Sequence, residues 1–125
     1  MRVIELNMLA AVIGRRSWKS SNTEVISFNC PKKGVRVTEI FLHGYLIATV
    51  SPGSDWTHKV LTLHWGTPWH FSRTTFSRMN ALLLRLTGPG NGCFTHKHQP
   101  YLQRFGKDRP MELEAGDSYS FTAYC

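Results

Sequence analysis

The sequence predicts an α+β fold: a twisted antiparallel β-sheet of about five to seven strands packed against one central α-helix. Three observations predict it. Val35–His64 holds three β-rich runs separated by turn residues, with alternation in Val35–Leu42 and Thr57–His64. Phe76, Met79, Leu83 and Leu86 recur at helical spacing and stop at Gly88-Pro89-Gly90. Ser118–Tyr124 alternates again, as a final strand would. A chain of 125 residues, 42% of them apolar, is long enough to bury a core as a single domain, residues 1–125.

Each element follows from local chemistry. Met8–Ile13 is an apolar run that reads as core, in a short helix. It is too short for a membrane span of roughly 20 residues. Glu5 and Asn7 before it and Arg15 and Arg16 behind it do not fit a secretory signal. Arg15–Thr23 is basic and polar and reads as a loop, closing an N-terminal segment, 1–23. A basic core, 24–107, follows. Glu24–Cys30 is a strand, Pro31–Gly34 a turn, and Val35–Leu42 a β-branched strand. His43-Gly44 makes a tight turn into a strand over Tyr45–Val50. Ser51–Asp55 turns into a half-buried strand over Thr57–His64, which completes a three-stranded meander. Ser72, Thr74 or Thr75 caps the helix, which runs to about Leu86. Ala81, Leu82 and Leu84 broaden its buried stripe, and Arg78 and Arg85, seven apart, share another face. Gly92–His98 and Pro100–Phe105 read as short strands, and Gly106–Pro110 as a charged turn. An acidic turn and the terminal strand occupy 108–125.

The net charge is +7 and it is unevenly placed. Residues 1–107 hold fourteen Lys and Arg against four Asp and Glu, whereas 108–125 hold one against four. A basic body concentrates polyanions around it, which points to nucleic acid or an acidic protein surface as partner. The acidic stretch Asp108–Asp117 is a solvated loop, or it folds against the basic body of its own or a neighbouring subunit. Cys30, Cys93 and Cys125 form no closed disulfide framework and imply free thiols in a reducing cytoplasm.

Trp65–Leu84 packs aromatics, a turn, a helix start and two arginines close together. The hairpin Phe41-Leu42-His43-Gly44-Tyr45-Leu46-Ile47-Ala48 precedes it, and Gly66-Thr67-Pro68 leads to Thr74-Thr75-Phe76-Ser77-Arg78-Met79-Asn80-Ala81-Leu82. This ordered pair resembles small proteins of tailed bacteriophages that join a His-Gly-x-x-Ile-Ala hairpin to a Thr-Thr-x-x-Arg-x-Asn-Ala-Leu helix start. The similarity spans roughly Val37–Leu102. It departs from the pattern where Trp69-His70-Phe71-Ser72-Arg73 fills the interval before the double threonine. The resemblance implies a phage accessory protein made in the host cytoplasm; it implies no mechanism.

The helix start is the first candidate site. Arg73, Thr74, Thr75 and free backbone N–H groups converge there, with Arg78 one turn on, and such an end binds phosphate. The alternative is plain capping, with Arg78 paired to a carboxylate. Trp56, Trp65, Trp69 and Phe71, near His58, His64, His70, Lys59 and Arg73, suit base stacking, a protein interface or core packing. Cys93, His96 and His98 are the one metal-like grouping, with His96 and His98 sharing a strand face and Cys93 opposite. No second ligand pair accompanies it, and neither a metal nor a cofactor is expected. Cys93 and His96 do not align as a dyad, and Ser77 or Ser72 with His70 and Asp55 lacks a nucleophile elbow.

The expected function is therefore non-enzymatic binding of nucleic acid or a host nucleoprotein. Arg73, Thr74, Thr75, Arg78, Arg85, Lys32 and Lys33 would meet phosphate, with Trp69 and His70 supplying aromatic contact. Two alternatives accompany it. One is an anti-CRISPR-like inhibitor that binds a host defence protein through the aromatic patch. The other is a small virion or assembly component that forms homo-oligomers. No membrane partner is expected.

Overall fold

The computed structural model describes residues 2–31, 34–53, 58–65 and 72–124. Within them lie two α-helices and nine β-strands in the α+β arrangement the sequence predicts. Helix α1 is Val3–Ile13 and helix α2 is Arg73–Thr87. The strands are β1 Trp18–Ser20, β2 Thr23–Cys30, β3 Val35–Leu42, β4 Tyr45–Pro52, β5 Lys59–His64, β6 Gly92–His96, β7 Gln99–Gln103, β8 Met111–Glu112 and β9 Ser118–Ala123. They form two sheets. The larger is six-stranded in the order β1-β2-β3-β4-β5-β9, and the smaller is β6-β7-β8. Every neighbouring pair is antiparallel.

Tight turns set the registers. His43 and Gly44 both have positive φ, 51° and 80°, so the two-residue turn closes with Leu42 opposite Tyr45. Lys97 and His98, at 50° and 66°, close β6 onto β7 in the same way. His98 is therefore a turn residue, and the expectation that it shares a strand face with His96 does not hold. Between Ile40 and Phe41 the register of β3 on β4 shifts, and Ile47 and Ala48 are both buried around this bulge.

One face of the large sheet is covered by helices and the other is open. Val25, Thr38, Ile40, Leu42, Ala48, Val50, Leu61, Leu63, Tyr119, Phe121 and Ala123 face the core. Helix α1 packs on β2 and α2; helix α2 packs on β4, β9 and β6. Because α2 meets neighbours on three sides, its buried set is wide: Thr75, Phe76, Arg78, Met79, Ala81, Leu82, Leu83 and Leu86. Leu84, expected to broaden the stripe, points to solvent at 54% exposure. The segment read as a loop, Arg15–Thr23, contains β1, because Ser21 at φ 53° turns the chain back and pairs Trp18 with Val25. The acidic stretch contains β8, whose pairing with β7 drops the Leu113 side chain into the core.

A polar cluster sits inside this apolar packing. The Arg78 guanidinium donates from Nη1 to Glu5 Oε2 at 2.8 Å and from Nε to Thr23 Oγ1 at 3.1 Å. Ser77 Oγ also donates to Glu5 Oε2, and the Arg2 backbone N–H donates to Oε1 at 3.3 Å. Burial pushes the Glu5 carboxyl up, but these hydrogen bonds and the Arg78 charge outweigh it and leave the group below its ordinary value of 4.5. One cluster thus ties α1 to α2 and α2 to β2.

Removing one member of a buried pair leaves the other charge stranded. Arg78→Met is expected to destabilise the fold by about 3–5 kcal/mol, with Glu5→Met,Arg78→Met recovering much of the loss; urea unfolding of the singles and the double checks this. The sign of the pH dependence follows from the lowered Glu5 pKa. Its contribution is present above the ordinary carboxylate value and is lost as pH falls through the folded-state value. Glu5→Gln should therefore flatten the acid limb of a stability–pH profile, and an unchanged limb would contradict the coupling.

Candidate nucleic-acid interface

A concavity lies at the end of the large sheet where β3 begins, β4 ends and β5 begins. Its volume is about 410 Å³, and its lining includes Val12 and Arg15 after α1, Gly34 to Arg36, Ser51 and Pro52, and His58 and Lys59. Among the described residues no Asp or Glu lines it. Arg15 sits at φ 52°, and its carbonyl accepts a hydrogen bond from Arg36 Nη2 at 3.1 Å. Arg36 Nε donates to Ser27 Oγ at 3.0 Å, so the guanidinium is held in place at the sheet end. His58 contributes an exposed ring that meets Tyr124 edge-on at 5.2 Å.

Among the described residues the one ion pair is Arg78–Glu5. Arg15, Arg36 and Lys59 thus have no carboxylate partner among the described residues. Cations held together without a counter-charge repel one another, and an anion between them relieves that repulsion.

The residues singled out in the sequence separate into three groups. Arg73 and Arg85 are exposed on α2 and Thr74 is half-buried. Thr75 and Arg78 are withdrawn from the surface, at 3% and 2% exposure. Ser72 is the N-cap: its Oγ accepts from the Thr75 N–H at 3.1 Å and lies 2.9 Å from the Thr75 hydroxyl. The cap thereby uses the donors that phosphate would need, and Arg78 takes the carboxylate alternative. The helix start therefore does not assemble Thr75 and Arg78 into a surface phosphate site. Lys32, Lys33, Trp69 and His70 lie outside the described residues, as do Trp56 and Phe71.

Of the aromatic and histidine grouping, Trp65 is core, 1% exposed and packed on Phe76 with ring centroids 5.4 Å apart. His64 lies on the open sheet face, Nε2 2.8 Å from Thr49 Oγ1 and Nδ1 3.2 Å from Ser118 Oγ. Its burial outweighs the Glu39 charge and lowers its pKa below 6.5, so it supplies hydrogen bonds and no positive charge at neutral pH.

Cys93 is buried against α2. Its N–H donates to Asn80 Oδ1 at 2.7 Å and its carbonyl accepts from Asn80 Nδ2 at 3.0 Å. His96 and His98 are exposed. Among the described residues no three His, Cys, Asp or Glu side chains come together as a metal site, and no helix is long and apolar enough to cross a membrane.

What sequence reading missed is Arg15 and Arg36. Twenty-one positions separate them, and only the β2–β3 hairpin brings them together. The Arg15-Arg16 pair behind an apolar helix was the available signal.

The fold and groove define an α+β protein with a concavity that Arg15, Arg36 and Lys59 line. The family model described as Kyanoviridae Gp96 protein matches residues 1–121, and the chain belongs to this phage protein family. No curated protein and no solved structure matches it.

Burial pushes the Cys93 thiol up to about 12. In mildly alkaline buffer iodoacetamide should leave Cys93 unmodified in the folded protein while alkylating the half-buried Cys30. Peptide mass mapping reads this out, and modification of both at equal rates would contradict the placement of β6.

Proposed function

We propose that this phage protein is a non-enzymatic binding module for nucleic acid or a host nucleoprotein, and that the groove at the sheet end receives the phosphate backbone. The observation that carries this reading is the convergence of Arg15, Arg36 and Lys59 on one concavity that no carboxylate lines among the described residues. Arg36 is positioned by Ser27 and by the Arg15 carbonyl before any ligand arrives. Little ordering cost remains on binding. Arg73 and Arg85, exposed on α2, extend the basic surface beyond the groove. Phosphate contacts of this kind give affinity and orientation without reading sequence.

Fluorescence anisotropy against labelled oligonucleotides over a salt series tests the proposal. Binding should weaken steeply with salt. Replacing Arg15, Arg36 and Lys59 together with Gln should reduce the log–log salt slope by about 2–3, since each phosphate neutralised contributes roughly 0.7–0.9. Arg78 is left intact because it holds the core, and its loss would mix a stability effect into the binding readout. Wild-type protein that binds no oligonucleotide at low salt, or a triple variant with an unchanged slope, would overturn the groove as the phosphate site.

A further inference from the structure

We infer that the outer face of the small sheet is a second binding surface, a stacking platform that makes the ligand single-stranded nucleic acid; this deepens the nucleic-acid reading and rests on it. Four observations place it there.

The first is the pair Phe94 and Tyr101. They are cross-strand neighbours on β6 and β7, with ring centroids 5.5 Å apart and planes inclined by only 18°. The second is exposure. Phe94 is 41% exposed, while the neighbouring Cys93 on the other face of β6 is buried. Cys93, Pro100, Leu102 and Leu113 already fill the inner side, so folding does not require an aromatic ring on the outer one.

The third is polarity around the rings. Register places His96 and Gln99 on one side of the pair and Gly92 and Gln103 on the other, with Glu112 opposite Tyr101 on β8. Gln99 Nε2 donates to the Pro100 and Leu113 carbonyls, and Gln103 Nε2 to those of Arg104 and Lys107. Both amides are thus anchored by their donor ends, which leaves the carbonyl ends as acceptors for base amino groups. The Glu112 carboxylate is a further acceptor, and it disfavours phosphate directly over Tyr101.

The fourth is charge. The connections flanking the face carry exposed Lys97, Lys107 and Arg109 against a single Asp108. Cations at the rim and π-faces in the middle match a strand whose bases turn inward and whose phosphates run along the edge. A duplex, with its bases stacked on each other, offers no face to Phe94. An uncharged peptide would use the rings and leave the rim cations without a counter-charge.

The experiment separates this surface from the groove. Three labelled probes of equal length are compared: a single-stranded oligonucleotide, its duplex, and a single strand whose central bases are replaced by abasic sites. Phe94→Ala should weaken binding of the intact single strand by about tenfold, with the salt slope unchanged, because stacking is sequence-tolerant and carries no counterion release. The duplex and the abasic strand should be unaffected by it. Phe94→Trp should restore the affinity and Phe94→Leu should not, which distinguishes stacking from apolar contact. Thermal melts confirm that each variant folds, as expected for a side chain outside the core.

Phe94→Ala that binds the intact single strand as wild type does would overturn the platform while leaving the groove standing. Full rescue by Phe94→Leu would overturn stacking as the contact that Phe94 makes with the strand. Wild-type protein that binds none of the probes removes the nucleic-acid reading itself, and the platform with it.

Discussion

The buried contact between Arg78 and Glu5 is the constraint around which this fold is arranged. A guanidinium at 2% exposure is costly unless its charge and its donors are met. Here Glu5 meets the charge from α1, and Thr23 accepts from β2. Three segments far apart in the chain are therefore fixed at one point. An apolar contact in the same place would tolerate sliding of α1 along α2; an ion pair with directed hydrogen bonds does not. Once α1 is fixed at its first turn, its length sets where its C-terminal end emerges. That end delivers Arg15 to the beginning of β3, where Arg36 is already held by Ser27. The basic groove is in this sense a consequence of the ion pair at the other end of the helix.

Burial and partner geometry likewise decide which cations are free to act. Fifteen Lys and Arg residues serve more than one purpose. Arg78 is spent on the core. Arg104 lies over the Phe121 ring at 4.2 Å and donates to the Ser120 carbonyl, which joins the small sheet to β9. Arg15, Arg36 and Lys59 meet no carboxylate in their groove among the described residues and remain available to an anion. Net charge alone does not distinguish these roles. Burial and partner geometry do.

Much of the fold was legible because its signals are local. Strands β3 and β5 alternate with period two, β4 between them is rich in β-formers, and His43-Gly44 supplies the turn that joins β3 to β4. Helix α2 shows its stripe, its serine cap and its glycine stop. Strands β1 and β8 were not legible, since two or three residues carry no period and exist only through their partners. Leu84 was misplaced because a broad apolar arc on a helix does not say where packing ends. The candidate site was less legible still. The Thr74-Thr75 and Arg78 constellation looked like an anion site from spacing, yet Thr75 serves the cap and Arg78 the core. The partner that decides this, Glu5, lies seventy-three positions from Arg78, and nothing in local pattern connects them.

The most direct measurement of the central claim is a two-dimensional amide NMR titration of the folded protein with a short single-stranded oligonucleotide. The groove account expects the largest shift changes at Gly34, Val35 and Arg36, at Ser51, and at His58 and Lys59, together with the Arg15 amide. The buried cluster around Thr23 and Arg78 should stay unmoved. Changes confined to the exposed start of α2, with the groove amides silent at saturation, would contradict the account and return the phosphate site to the helix end.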